Sequence, residues 1–178
     1  GADFVERAID LRMLAPHQGC GKALDGMAAH MLAQHRPRLG AMGQELLLHH
    51  LQSGSPNRLR TWMADIGRDY PAETLVHQLY TPLRRRLQCH QVTLNTLLSL
   101  LDGALINYIA LCLASARKRS GKDALLVGWD TPDTTRLWMA AWMAIQQGWR
   151  IDVLAHPLHQ LRPELFAQQT LLVWCGDT

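Results

Sequence analysis

The hydrophobic pattern of residues 123–155 predicts a strand, a loop, a helix and a second strand in succession. A short apolar run at 124–127 meets turn residues at 128–132, and about fifteen residues with helical periodicity follow before Gly148. A second strand is predicted at residues 150–154. This is the length of one βαβ unit, whose two strands pair in parallel and are expected to be buried on both faces.

Residues after this unit extend the predicted sheet. Residues 163–166 predict a single helical turn, and residues 170–175 predict a third strand. A doubly wound sheet usually has about five strands. We therefore expect either that the last strand forms an exposed apolar edge or that the chain is a fragment of a longer protein, and we favour the fragment.

Residues 43–121 have helical periodicity throughout. Residues 44–52 predict a short helix, and Ser55-Pro56 provide an N-cap and a first helical residue for a helix that is expected to end at Gly67. Another helix is expected from 72 to 80, where Pro82 either kinks it or begins a new one.

The longest predicted helix spans residues 92–118. Between residues 94 and 113 leucine, isoleucine and alanine occupy nearly every side of it, which predicts a helix buried at the centre of its domain. Its polar residues argue against a membrane span, because each would be costly at mid-bilayer depth: Asn95, Ser99, Asp102 and Asn107.

These elements predict an α plus α/β fold, a helical bundle followed by a truncated, flavodoxin-like or Rossmann-like parallel sheet. The expected domains are an unassigned, divergent segment at residues 1–42, a helical bundle at 43–121 and a partial α/β domain at 122–178. Within the first segment, residues 1–15 have the composition of an amphipathic helix.

Composition narrows the class of protein. A net charge of +3 is too small to indicate nucleic-acid binding by itself. The cysteines are widely spaced, without a C-x-x-C pair, which favours a reduced, cytoplasmic protein over a disulfide framework: Cys20, Cys89, Cys112 and Cys175.

Several long stretches carry a resemblance to a known family. LRTWMADIGRDYPAETL, TPLRRRLQC, LLDGALINYIALCLASARKRSGKDALLVGW, DTTRLW and QQGWRIDVLAHPLHQLRPELF are similar to the C-terminal half of MlrA-type regulators. The resemblance covers residues 43–177, about three quarters of the chain. It implies the effector region of a bacterial MerR-family transcription activator that controls curli and biofilm genes, and therefore a protein that is not an enzyme.

The same resemblance implies partners. A homodimer is expected, and promoter DNA would be bound through a helix-turn-helix that is not identifiable in this chain, since residues 1–40 do not match that part of the family. No membrane partner is expected, and a small-molecule effector of unknown identity remains an alternative.

A helical bundle followed by a flavodoxin-like domain is also the architecture of cobalamin-binding modules. Related sensors carry a [D/E]-x-H-x-x-G loop after the first strand, whose histidine binds cobalt. Here Asp133 stands at the histidine position and Arg136 at the glycine position. The upper tryptophan and the Glu-His pair of those sensors also have no counterpart. The resemblance thus implies a degenerate site in which cobalamin is not expected.

The candidate pocket residues are those at the mouth of the loop, those at the aligned motif positions and one carboxylate on the long helix: Trp129, Asp130, Asp133, Arg136 and Asp102. On a structural interpretation, Asp102 is a buried carboxylate that accepts from Asn107 or a backbone amide, and Asp130 or Thr131 is a helix N-cap. The functional alternative is a small-molecule sensor, for cobalamin or another ligand. A corrinoid-dependent methyltransferase is disfavoured because the cobalt-ligand motif is missing, and no catalytic or metal-binding residue is predicted.

Two further clusters have open interpretations. The run from Arg84 to Arg86 is typical of a solvated helix face, and its functional alternative is salt bridging between subunits or domains. His156 and His159 have a metal-pair spacing, but Pro157 lies between them and favours an exposed loop.

Overall fold

The computed structural model of the protein describes residues 9–10, 38–88, 91–160 and 162–175. The chain divides into two compact units. One is a helical unit within His17–Tyr108, and the other is an α/β unit that contains Ile109–Thr178 together with Gly1–Pro16. The division between them falls inside the longest helix.

The helical unit is built from five α-helices and two π-helical turns in the described residues. The π-helical turns are Arg38–Met42 and Val76–Tyr80. The α-helices are α1 (Gly43–Gln52), α2 (Pro56–Asp69), α3 (Ala72–Leu75), α4 (Thr81–Leu87) and α5 (Val92–Ala116), of which α5 continues beyond the unit. This confirms the predicted fold class on the helical side.

The start of α2 follows the sequence prediction. The Ser55 hydroxyl accepts the backbone N–H of Arg58, and Pro56 occupies the first helical position, where its missing N–H has no consequence. The predicted end at Gly67 is wrong, because α2 continues to Asp69. A Cβ built on Gly67 would lie 1.9 Å from the Tyr108 hydroxyl, so glycine is needed there for close packing on α5 and not to end the helix.

The α-helix α4 begins at Thr81 with Pro82 in its first turn, so the alternative that Pro82 begins a new helix is confirmed. The π-helical turn Val76–Tyr80 lies directly between α3 and α4, which begins at Thr81. A proline lacks an N–H and crowds the carbonyl four residues before it, in this case that of Gln78. The wider π-helical turn provides room at this point and lets the chain continue as a helix.

The long helix α5 is buried on one side only. Its buried residues recur every three or four positions and form a single stripe: Leu97, Leu101, Leu105, Ile109, Leu113 and Ala116. Leu100 and Leu111 lie on the other side and are 51% and 71% exposed. The prediction of burial on every side was therefore wrong, because uniform apolar composition carries no information about which face packs.

By length and composition α5 could also cross a membrane, although 28% of its most apolar stretch is buried within the protein. Asp102 lies near its middle and forms an ion pair with Arg84 of α4. A charge at that depth would be costly in a bilayer, so the pair is consistent with packing inside a protein.

The α/β unit contains one parallel sheet, with the strand order β1-β4-β2-β3. Its strands are β1 (Ile9–Asp10), β2 (Lys122–Gly128), β3 (Trp149–Val153) and β4 (Leu171–Trp174), and helix α6 spans Thr134–Ile145. The order of the three longer strands, with the first between the second and the third, is the flavodoxin-like order. The βαβ unit and the parallel sheet of the sequence prediction are confirmed.

Two expectations about strand burial need correction. The strand β3 is an edge strand, and Asp152 on it is exposed and paired with Arg117, so it is not buried on both faces. The strand β4 is not an exposed edge. It pairs with β2 on one side and with the short strand β1 on the other, where Ile9 is opposite Leu172.

The expected amphipathic helix at residues 1–15 is described only at Ile9–Asp10, which form a strand and not a helix. The remainder of that prediction lies outside the described residues. Backbone pairing with the apolar strand β4 explains how this dipeptide adopts an extended conformation despite its helical composition.

The close contact at Gly67 leads to a stability prediction. Gly67→Ala should lower the free energy of unfolding by about 1–3 kcal/mol, because the new methyl group would overlap the Tyr108 ring. In a Tyr108→Ala background the same change should cost little or should stabilise, since alanine is the better helix former. The measurement is a double-mutant cycle from urea unfolding followed by circular dichroism.

A second helical glycine provides the matched control. A Cβ on Gly103 of α5 would meet no atom within 4 Å, so Gly103→Ala should stabilise the protein by up to about 1 kcal/mol. Equal effects of the two glycine substitutions would contradict the packing role assigned to Gly67.

Candidate functional site

The carboxyl edge of the sheet is the first candidate site in the α/β unit. The parallel strands β3 and β4 lie on opposite sides of β2, so the order in which strands are added to the sheet reverses at β2. Ligands of open parallel sheets bind beyond the strand ends at such a switch point. Here β2 ends at Gly128 and β4 at Trp174, and the Trp129 N–H donates to the Trp174 carbonyl at 2.9 Å.

The loop after β2 is tied to the segment after β3. Trp129 forms an isolated parallel bridge with Leu158, and the Leu158 N–H donates to the Gly128 carbonyl at 2.9 Å. Both side chains pack against the apolar cluster of Val127 and Val173 on one face of the sheet. Trp129 is therefore partly buried as a packing residue.

Asp130 has an unusual backbone conformation for a residue with a side chain. Its φ is 47°, in the left-handed region that aspartate and asparagine enter more readily than other non-glycine residues. The side chain contacts the Nδ1 atom of His159, and both groups are exposed, at 61% and 76%. The loop containing His156 and His159 is thus exposed, as predicted, but His159 has a carboxylate partner that the sequence did not indicate.

Asp133 caps helix α6. Its carboxylate accepts the backbone N–H of Arg136 at 3.2 Å, and the first residue of the helix is Thr134. A carboxylate at this position also interacts favourably with the positive end of the helix dipole. The N-cap that the sequence analysis assigned to Asp130 or its neighbour is Asp133.

Arg136 lies over the ring of Trp174. Its guanidinium carbon is 5.1 Å from the ring centroid, which is a cation–π arrangement between the first turn of α6 and the end of β4. The arginine therefore occupies space directly at the switch point between β2 and β4.

Both residues at the aligned cobalamin-motif positions have contacts within the protein. The carboxylate at the cobalt-ligand position is engaged as a helix cap, and the residue at the glycine position projects a guanidinium onto Trp174. Within the described residues there is also no cluster of three His, Cys, Asp or Glu side chains that could hold a metal ion.

The remaining candidate, Asp102, lies in the helical unit. Its carboxylate forms a bidentate pair with Arg84, with Nε–Oδ1 at 2.8 Å and Nη2–Oδ2 at 3.0 Å. The Arg84 side chain is 6% exposed and the Asp102 side chain 21%. Arg84 is the partner of Asp102, where the sequence analysis had suggested Asn107 or a backbone amide.

The arginine run is therefore not a uniform solvated face. Arg84 is buried, Arg85 is exposed, and Arg86 contacts Glu45 at 3.1 Å together with Gln44 at 3.1 Å on α1. Two of the three arginines thus join α4 to other helices of the same unit.

The sequence analysis missed a groove in the helical unit. It has a volume of about 310 Å³ and lies between the α1–α2 turn and α5, with Leu51 and Leu59 on one wall and Gly103 on the other. The signal that could have found it is a glycine in the middle of a long helix, where glycine is unfavourable unless something requires it.

Fold and sites together define a protein with a helical domain followed by a flavodoxin-like domain, in which polar side chains at the carboxyl edge of the sheet contact one another or the backbone. The chain belongs to the MlrA family. The helical-domain model of the transcriptional regulator MlrA matches residues 41–114, and the C-terminal-domain model matches residues 121–178.

Similar full-length proteins have the same family name. The chain is 68% identical over 134 residues to the HTH-type transcriptional regulator MlrA of Escherichia coli K12, and 66% identical to that of Salmonella typhimurium SL1344. In each case the match covers 75% of this chain and 55% of the relative. The chain thus spans about half the length of the curated relatives it matches. No solved structure matches the chain.

The buried pair of Arg84 and Asp102 leads to a second stability prediction. Asp102→Asn should lower the free energy of unfolding by about 3–5 kcal/mol, because it removes the carboxylate charge of the bidentate pair with the buried Arg84 guanidinium. The double variant Arg84→Met/Asp102→Leu should recover most of that loss, since replacing a buried pair with apolar side chains is often neutral. Urea unfolding of the three variants measures both effects.

The exposed pair Arg86 and Glu45 serves as the control. Glu45→Gln should change the free energy of unfolding by at most about 1 kcal/mol, as is typical of surface ion pairs. A cost for Asp102→Asn as small as that of Glu45→Gln would show that Arg84 is solvated and not buried.

Proposed function

We propose that the chain is the regulatory part of a bacterial transcription activator and not an enzyme. The observation that carries this proposal is the match of both MlrA domain models in the order helical domain, C-terminal domain. The relatives that share 66–68% identity are named HTH-type transcriptional regulators, and this chain aligns with 55% of their length. DNA recognition is assigned to a helix-turn-helix that is not identifiable in this chain.

The finer assignment follows the resemblance found in the sequence. We propose membership of the MerR class, action in the cytoplasm as a homodimer, and control of curli and biofilm genes. Helix-turn-helix regulators bind two half-sites as dimers, which supports the dimer.

We further propose that the carboxyl edge of the sheet is an interaction scaffold that has lost cobalamin binding. Three of its polar side chains are already engaged within the protein: Asp130 by His159, Asp133 by the N-terminus of α6, and Arg136 by Trp174. The alternative function, a sensor with a ligand at this edge, would require those contacts to break on binding.

Transcriptional activity can be tested with a chimera. The matching 134-residue region of the Escherichia coli relative is replaced by that of this chain, and the chimera is expressed in a strain without its own MlrA. We expect activation of a curli-gene reporter to within about threefold of the parent, because more than two thirds of the exchanged residues are identical. A chimera that carries Leu105→Asp, with a charge at a fully buried position, is the inactive control.

The chain alone should not bind a curli promoter fragment selectively in a gel-shift assay at physiological salt. Nanomolar, sequence-selective binding by the chain alone would refute the proposal that a helix-turn-helix not identifiable in this chain recognises DNA. An inactive chimera that is stably produced would refute the regulatory assignment itself.

The cobalamin proposal has a separate test. Hydroxocobalamin is added to the parent, to Asp133→His and to Asp133→His/Arg136→Gly, and each sample is passed through gel filtration with detection of corrinoid absorbance. No co-elution is expected with the parent or with Asp133→His, because Arg136 still covers Trp174. Near-stoichiometric corrinoid on the parent would overturn the degenerate-site proposal, and binding by the single variant would show that Arg136 is no obstacle.

A further inference from the structure

The groove between the α1–α2 turn and α5 has the size of a small-molecule site. Its volume of about 310 Å³ lies at the lower end of the range for ligand pockets. All twelve residues that line it belong to the helical unit, so the groove is complete within one unit of the chain. It is distinct from the carboxyl edge of the sheet.

The walls of the groove are apolar. Leu51 and Leu59 are buried in the core behind it, Leu100 is half exposed into it, and Pro56 and Ala104 complete the lining. Such a surface binds the hydrocarbon part of a ligand by removing apolar area from water.

The polar side chains that line the groove are neutral or basic. His50, Arg60 and Asn107 contribute to the lining, and no lining residue is acidic. The Arg60 guanidinium donates to the Asn57 amide oxygen at 3.0 Å, which leaves its charge without a carboxylate among the described residues. A ligand with one negative charge therefore complements the groove, and a cationic ligand does not.

Gly103 provides an independent reason to expect an occupant. It lies in the middle of a 25-residue helix, where glycine destabilises relative to alanine. Apart from its own helix backbone, a Cβ at this position would meet no atom of the described residues within 4 Å, so no described contact requires glycine there. Because Gly103 has no side chain, space remains on that wall of the groove.

We propose that this groove binds a small amphipathic anion, an aromatic or short aliphatic carboxylate, with its hydrocarbon part against Leu59 and Gly103 and its carboxylate at Arg60. A helix from a second copy is a poorer occupant, because covering the groove would bury Arg60 without a counter-charge. The role of such an anion as an effector rests on the proposed regulatory function, whereas its binding does not.

The test uses 2-naphthoate and its neutral counterpart 2-naphthamide, titrated calorimetrically into the full 178-residue chain. We expect 2-naphthoate to bind about tenfold more tightly than the amide, as a charge-assisted hydrogen bond to Arg60 would give. Arg60→Gln should remove that preference without changing the affinity for the amide. Arg58→Gln, on the same helix but outside the groove, should change neither affinity.

The Gly103 variants test the position of the site. Gly103→Leu should weaken both probes by more than about tenfold by filling the groove, whereas Gly103→Ala should retain most of the affinity while raising the melting temperature by about 2–4 °C. If Gly103→Leu does not fold, Arg60→Gln, an exposed substitution, still decides whether the anion binds here.

Each contrary result overturns the proposal. The proposal is wrong if 2-naphthoate does not bind at millimolar concentration, if the acid and the amide bind with equal affinity, or if Gly103→Leu leaves the affinity unchanged. A dimer in sedimentation that becomes a monomer in Gly103→Leu, without probe binding to the parent, would assign the groove to a second copy. Failure of the binding test leaves the reporter result of the chimera unaffected, so the two proposals fail separately.

Discussion

The ion pair between Arg84 and Asp102 is the constraint on which the helical unit depends. Asp102 is the single charged residue between Val92 and Ala116. The buried stripe of α5 repeats mostly at four-residue intervals with similar aliphatic side chains, so its hydrophobic packing alone would tolerate a shift by one turn. A shift would separate the carboxylate from the guanidinium and leave a buried charge unpaired. The pair therefore selects one register among several that are similar in apolar burial.

The sequence patterns predicted correctly those elements that are determined by residues close together in the chain. Ser55 and Pro56 begin α2 through a side-chain cap and a fixed φ, and Gly148, with φ 94°, follows α6 as the periodicity predicted. The position of β2, α6 and β3 followed from the change of period between strand and helix. In these cases the residues that determine the structure lie within a few positions of one another.

Features that depend on distant residues could not be predicted. Gly67 resembles a helix terminator, and only the Tyr108 ring, forty-one positions later, shows that it is a packing residue. The partner of Asp102 was hidden because a run of three arginines is usually solvated. The buried face of α5 was hidden because its composition is apolar on all sides, and only the contacts of neighbouring helices decide which side packs.

At the candidate site, too, some features depend on neighbouring residues and others on residues far along the chain. The loop after β2 was predicted as the ligand edge because the carboxyl ends of parallel strands meet there. The cap formed by Asp133 is local, since it involves the N–H of Arg136 three residues later. The partners that fill the edge come from elsewhere: Trp174 from β4 and His159 from the segment after β3. A motif alignment therefore identifies which ligand groups are absent, whereas the fold identifies what has taken their place.

Gly67 and Gly103 differ in whether the chain itself explains a glycine inside a helix. Both lie inside α-helices, where each destabilises relative to alanine by a similar amount. At Gly67 the cost is offset by close packing against Tyr108, so the residue is explained within the chain. At Gly103 no described contact offsets it, yet the residue lines a groove that also contains Arg60, which pairs with no carboxylate among the described residues. Stability alone would favour alanine there. The cost at Gly103 is understandable if the open space is used by a molecule that is not part of the fold.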